Sequence, residues 1–244
     1  MINFLLRIRY KFFKKWLKTR DFSSQELIFE DHFKSLDNFE VSDKDFYNNN
    51  SVWFSKEAVQ LTDEGLLIKC YKNKATHTSW QGTRETNWTS GMVCTSGHFV
   101  QSNGTWVIRA KICGSWPAIW LLKVDRKVVG YTKEQIIPEI DIMEVIHGKI
   151  LQTVHYGYSD KVYRRTAKSA TICKNDNQFH DFAVEFIPKG YNFYIDGILT
   201  AKHISDDPEL VSNRINYLIL NNAALPGDNE ENYNFIVNFV KVYK

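Results

Sequence analysis

Pro138-Glu139-Ile140-Asp141-Ile142-Met143-Glu144-Val145 sets three carboxylates at i, i+2 and i+5 within an otherwise apolar, strand-like run. Charge inside a sheet costs free energy unless it has partners or a task. In a regular strand, residues 139, 141 and 143 share one face, so Glu144 points away from the other two acids. A single β-bulge near Ile142-Met143 rephases the chain and returns Glu144 to the face of Glu139 and Asp141; such bulges are common beside active sites. The stretch therefore predicts a bulged β-strand with its acids gathered on one short patch of sheet.

A row of this kind gives each acid a different task. In a retaining glycosidase one ionised carboxylate attacks the anomeric carbon, and a protonated carboxyl about 5 to 5.5 Å away protonates the leaving oxygen. Mutual repulsion keeps the two states apart, because neighbouring carboxylates do not both ionise cheaply. The corresponding assignment is Glu139 as nucleophile, Asp141 as the residue that tunes its charge, and Glu144 as acid and then base. The rest of the chain decides how much weight this spacing bears.

Outward from the acids, the chain reads as short strands and turns. Trp106, Ile108, Ala110 and Ile112 alternate with Val107, Arg109 and Lys111, a strand with one face packed. Phe182 to Ile187 and Tyr191 to Ile195 flank Pro188-Lys189-Gly190, a hairpin by its turn chemistry, and Asp196-Gly197 makes a further turn. Asp206-Asp207-Pro208 opens a short helix through Asn213, and Asn48 to Asn50 marks a loop. With 244 residues, 43% apolar and 14% aromatic, the chain can bury a large core as one domain. The expected fold is all-β, a two-sheet antiparallel β-sandwich or concanavalin-like jelly roll with a substrate cleft across its concave face.

The acid row, Gly114-Ser-Trp-Pro-Ala-Ile-Trp-Leu-Leu122 before it and Val154-His-Tyr-Gly157 after it resemble the signature of glycoside hydrolase family 16. Trp88-Thr-Ser-Gly91, Ile108-Arg-Ala-Lys111, Phe179-His-Asp-Phe-Ala-Val-Glu185, Phe193-Tyr-Ile-Asp-Gly197 and Val237-Asn-Phe-Val-Lys-Val-Tyr243 continue the resemblance from about Leu27 to the C-terminus. That family includes laminarinases, lichenases, agarases and κ-carrageenases, and the bulged spacing is similar to its laminarinase-like and agarase-like branch. The resemblance implies the same sandwich and an endo-acting hydrolase of polysaccharide β-linkages, β-1,3- or β-1,3/1,4-glucan first and a galactan next. A transglycosylase, or a carbohydrate-binding protein without turnover, is the alternative on the same fold.

Sugar sites pair carboxylates with aromatic faces, because pyranose C–H faces stack on indole. Trp116 and Trp120 lie four apart and would share a strand face; the resemblance implies that they line the cleft, with Trp120 beside the sugar about to be cleaved. It also implies that His155 belongs to the catalytic face, bonding the acid/base or a substrate hydroxyl. Trp88 and Arg84 lie in a polar, loop-like stretch that suits a glycone-side platform and a hydroxyl-binding cation. No histidine or cysteine spacing suggests a metal. Many members of the family hold a structural calcium through an Asp where this chain has Asn238, so neither calcium nor another cofactor is expected; Phe186 replaces a frequent Trp.

The net charge of +3 conceals an asymmetry, since residues 1–20 hold seven basic groups and no acid. The remainder carries 24 basic and 28 acidic residues, which argues against nucleic acid as a partner. Residues 1–22 read as a basic amphipathic segment with a short helix, Phe4, Leu5, Ile8, Phe12, Trp16 and Leu17 forming a stripe for a membrane surface or an assembly, and residues 23–244 as the sandwich domain. Ile2 to Leu6 is too short for the apolar core of a signal peptide, although a polysaccharide substrate suits an extracellular or cell-surface setting. Cys70, Cys94, Cys113 and Cys173 read as buried free thiols, with one disulfide open if the protein is exported. A monomer is expected.

Overall fold

The computed structural model describes residues 19–47, 52–113, 116–124, 139–156, 164–170, 177–204 and 215–244. The helices expected in the basic N-terminal segment and from Asp206, and the loop expected at Asn48 to Asn50, fall on residues outside these ranges. The described strands are β1 (Leu27–Asp31), β2 (Glu40–Val41), β3 (Asp45–Phe46), β4 (Val52–Phe54), β5 (Val59–Thr62), β6 (Gly65–Ser79), β7 (Gly82–Ser90), β8 (Met92–Cys94), β9 (Thr105–Cys113), β10 (Ala118–Lys123), β11 (Glu139–Ile146), β12 (Lys149–Tyr156), β13 (Arg164–Ala170), β14 (Phe179–Ile187), β15 (Gly190–Ile195), β16 (Ile198–Ile204), β17 (Asn216–Asn221) and β18 (Asn232–Tyr243). Lys56–Ala58 makes one 3₁₀ turn, capped by the Ser55 hydroxyl. No helix among the described residues is long and apolar enough to cross a membrane.

These strands build the two sheets of a sandwich. One has eleven strands, along the path β16-β15-β14-β9-β18-β6-β7-β4-β3 with β1 on β18 and β5 on β6; the other has seven, β13-β12-β11-β10-β17-β8-β2. Pairing is antiparallel except for β4, which runs parallel to β7. The alternation in β9 places Trp106, Ile108, Ala110 and Ile112 in the core between the sheets. From the seven-stranded sheet, Ile119, Leu121, Leu218 and Leu220 meet them, so residues 118, 120 and 122 face away from the core.

Turn chemistry fixes the hairpins. Asp196 and Gly197, at φ 51° and 74°, connect β15 to β16, the left-handed pair that a tight hairpin turn requires. The Asp196 side chain accepts from the Asp181 amide at 3.1 Å and meets His180 Nδ1 at 2.9 Å. Arg20 and Phe22 dock nearby: Arg20 donates its amide to Gly197 O at 2.7 Å, and Phe22 meets Tyr194 edge-on at 5.3 Å. Cys70 and Cys94 are buried free thiols, and burial pushes Cys70 up to about 12; the side chains of Cys113 and Cys173 lie outside the described residues.

His203 on β16 is a buried imidazole. Burial, helped by the nearby Lys168 ammonium, lowers it to about 4, against the pull of a hydrogen bond with the Gln152 backbone. The unfolded chain takes up a proton near the ordinary value of about 6.5, whereas the folded protein refuses it until about pH 4. This contribution to stability is whole above pH 6.5 and is lost as pH falls toward 4, by an amount on the order of 3 kcal/mol. Urea midpoints between pH 7 and 4 should therefore fall more steeply for the wild type than for His203→Gln; equal slopes would remove His203 from the acid response.

Candidate active site

The bulge predicted from the acid spacing is present. Along β10 the partners of Ile119 and Trp120 are Met143 and Asp141, so Ile142 is skipped. Along β12 the register passes from Asp141↔Thr153 to Glu144↔Leu151, one residue more on β11 than on its partner. Ile140, Ile142, Met143 and Val145 all enter the core. Two consecutive residues, Ile142 and Met143, therefore point inward, and Glu144 emerges on the same outer face as Glu139 and Asp141.

Neighbouring strands complete that face. Trp120 is opposite Asp141, Ala118 lies between Glu144 and Asn221, and His155 is opposite Glu139. His155 Nε2 is 2.8 Å from Asp141 Oδ2 and 3.8 Å from Glu139 Oε1. The first is a charge-assisted hydrogen bond that orients the imidazole, while the second is an electrostatic approach. Asp141 is the most enclosed of the three acids, at 5% exposure. The Trp116 indole N–H donates to Glu144 Oε1 at 2.7 Å, and the Trp120 indole N–H donates to Asn221 Oδ1 at 2.8 Å.

One donor atom each from Glu139, Asp141 and His155 lies within 4.8 Å of the others, as in a metal-binding set. The 2.8 Å His155–Asp141 separation is shorter than the roughly 3.3 Å edge of a zinc tetrahedron and suits a shared proton better than a shared ion. On the eleven-stranded sheet, Asn238 sits at a bulge of β18 and donates Nδ2 to Glu64 O at 2.9 Å. The Glu64 carboxylate receives Lys111 Nζ at 2.6 and 2.9 Å. Gly65 makes this approach possible, since a Cβ there would lie 2.2 Å from Val237 O. An amide donor and an ammonium fill positions where calcium needs oxygen ligands, so these residues do not fit that ion.

The structure brings together Glu139, Asp141, Glu144, Trp116, Trp120 and His155. Trp88 and Arg84 belong to strand β7 rather than to a loop, because threonines at 83, 86 and 89 suit a pleated hairpin with β6. Trp88 is buried at 6% exposure with Val52, Phe54, Cys70 and the Ala223-Ala224 pair, in a cluster against which Trp116 packs. Arg84 lies with Cζ 5.0 Å over the Phe46 ring and donates to Gln81 O, and no hydrogen bond among the described residues joins it to the acids. Sequence reading passed over Asn221, which holds the Trp120 indole, and Tyr47, whose ring meets Trp116 edge-on at 5.6 Å. An Asn pair ending the apolar run Tyr217 to Leu220 was the available signal for the first.

A family model described as glycosyl hydrolases family 16 matches residues 46–233. The laminarinase catalytic domain from Thermotoga maritima MSB8 is 24% identical with a TM-score of 0.72, over 90% of this chain and 98% of that one. The endo-β-1,3-glucanase from Pyrococcus furiosus is 23% identical with a TM-score of 0.71, over 90% and 94%. A structure from work on endo-acting O-glycanases that members of the human gut microbiota express to initiate mucin breakdown is 19% identical with a TM-score of 0.76, over 93% of each chain. At these identities the likeness is one of fold. No curated protein sequence matches the chain.

Proposed function

Because the chain belongs to glycosyl hydrolases family 16, we propose that it is a retaining, endo-acting hydrolase of a polysaccharide, with β-1,3- or β-1,3/1,4-glucan as the preferred class. The observation that carries this reading is the bulge of β11, which returns Glu144 to the face of Glu139 and Asp141.

In the proposed cycle Glu139 attacks the anomeric carbon while Glu144 gives its proton to the departing glycosidic oxygen. The glycosyl ester on Glu139 is then opened by water, and Glu144 takes the water's proton. Asp141, enclosed and bonded to His155, tunes the charge of Glu139 as the nucleophile is neutralised in the ester and then restored, its own charge favouring the first change and the nearby imidazole the second. The Trp116 indole holds Glu144 by one oxygen, which leaves the other for the proton in transit. Trp120, fixed by Asn221 and opposite Asp141, offers its ring to the sugar at the cleavage point. No cofactor enters the cycle.

Reducing-end release should be measured on laminarin, mixed-linkage glucan, agarose, carrageenan, xyloglucan and mucin glycans. New ends on a glucan support the reading; cleavage confined to agarose, carrageenan or mucin glycans moves the substrate class. Retained binding with no new ends on any polymer turns the reading toward recognition without turnover. Trp120→Ala should raise KM on the cleaved polymer roughly fivefold, the equivalent of about 1 kcal/mol of stacking. An unchanged KM would take Trp120 out of the sugar site.

A further inference from the structure

Gln152 is fully buried, at 0% exposure, on the core side of β12, where its neighbours in sequence place Ile150 and Val154 among apolar side chains. An amide in such a place costs free energy unless both of its ends are bonded. Both ends are. Nε2 donates to Ile142 O at 3.4 Å, and Oε1 accepts from the Thr200 hydroxyl at 2.6 Å.

The two partners are alike in one respect. Ile142 belongs to the bulge of β11, the extra residue that turns Glu144 toward Glu139. Thr200 is itself a bulged residue: β15 pairs Phe193 with Ala201 and then Tyr194 with Leu199, so Thr200 is passed over. The two bulges lie in different sheets. A bulge leaves a residue out of the ladder, and one buried amide here takes up a group from each. His203, one residue before the end of β16, adds a bond to the Gln152 backbone.

Resting on the retaining mechanism proposed above, we infer that Gln152 is a positioning residue for catalysis, an amide bridge between the Thr200 and Ile142 bulges that holds Glu144 at its working place. The bridge acts at one remove. It touches neither substrate nor reacting atoms, but it bonds the carbonyl two residues before Glu144, and a slip of the bulge by one residue would send that carboxyl back toward the core. Displacement of the acid/base by about 1 Å is enough to cost on the order of 100-fold in rate.

The test compares wild type, Gln152→Leu and Thr200→Val on two substrates. One is the polysaccharide cleaved in the panel; the other is the 2,4-dinitrophenyl glycoside of its disaccharide in azide. Dinitrophenolate leaves without a proton, and azide opens the glycosyl ester without a general base, so the second substrate bypasses Glu144. Gln152→Leu should lose about 10- to 100-fold in kcat on the polymer and keep its kcat on the dinitrophenyl glycoside, with KM little changed on both. Thr200→Val should split the two substrates in the same direction but less, since Gln152 keeps its bond to Ile142.

Equal losses on the two substrates would mark a merely structural amide and overturn the role, as would an undiminished Gln152→Leu. Should Gln152→Leu fail to fold, the Thr200→Val comparison decides, and an unsplit result there overturns the role. A wild type that cleaves no polymer of the panel would overturn the hydrolase reading itself, and this role with it. An active wild type with unsplit variants counts against the bridge alone.

Discussion

Glu139→Gln is expected to bind the polysaccharide as the wild type does and to cleave it about 10⁴- to 10⁶-fold more slowly, the loss that follows removal of a covalent nucleophile. The substitution is isosteric and lies on the outer face of β11, opposite His155, so it disturbs neither the core residues of the strand nor the bulge. It does remove one negative charge from a group in which His155 Nε2 stands 2.8 Å from Asp141 and 3.8 Å from Glu139. Asp141 keeps its closer bond to the imidazole, and the ring should keep its orientation. The check is reducing-end release beside isothermal titration with an oligosaccharide of the cleaved polymer. Activity within tenfold of wild type would take the nucleophile away from Glu139, and a loss of binding equal to the loss of rate would mean that the residue holds substrate instead.

The acid row was legible in the sequence because it obeys a local rule. Four apolar side chains, Ile140, Ile142, Met143 and Val145, all belong inside, and only an extra residue lets 142 and 143 enter together while three acids stay out. Local turn chemistry likewise gave the hairpins at Pro188-Lys189-Gly190 and Asp196-Gly197. What supports the row was less legible, since it depends on pairings between distant strands. Asn221 reaches Trp120 across 101 positions of sequence, and Gln152 reaches Thr200 across 48. No local pattern sets such a register; packing of the whole sheet does.

Arg84 and Trp88 show the opposite difficulty. Polar residues in Gly82–Ser90 read as a loop, yet pairing with β6 makes them a strand, and Trp88 is drawn into the apolar cluster with Phe54 and Cys70. The cluster still bears on the site, because Trp116 packs against it and donates to Glu144. A tryptophan read as a platform for sugar thus belongs to the cluster against which the tryptophan that holds the acid packs. Composition alone does not separate these two uses of an indole, since both bury its face and both leave the N–H to be placed.

Glu144→Gln should separate the two halves of the reaction. On the polysaccharide, where the leaving oxygen needs a proton, the expected loss is about 10²- to 10⁴-fold. The glutamine carbonyl keeps an acceptor for the Trp116 indole, so the side chain stays in place and only the transferable proton is gone. On a 2,4-dinitrophenyl glycoside the first half-reaction survives, because the phenolate departs unaided, and the glycosyl ester on Glu139 accumulates for want of a base. Azide needs no deprotonation; it attacks the anomeric carbon of that ester, the carbon–oxygen bond to Glu139 breaks, and the carboxylate leaves. Two inversions at one carbon restore the starting configuration, so the product should be the β-glycosyl azide, formed at a rate that rises with azide concentration. An α-azide would mean a single displacement and an inverting enzyme, while a variant that azide does not accelerate would move the acid/base to another residue on this face.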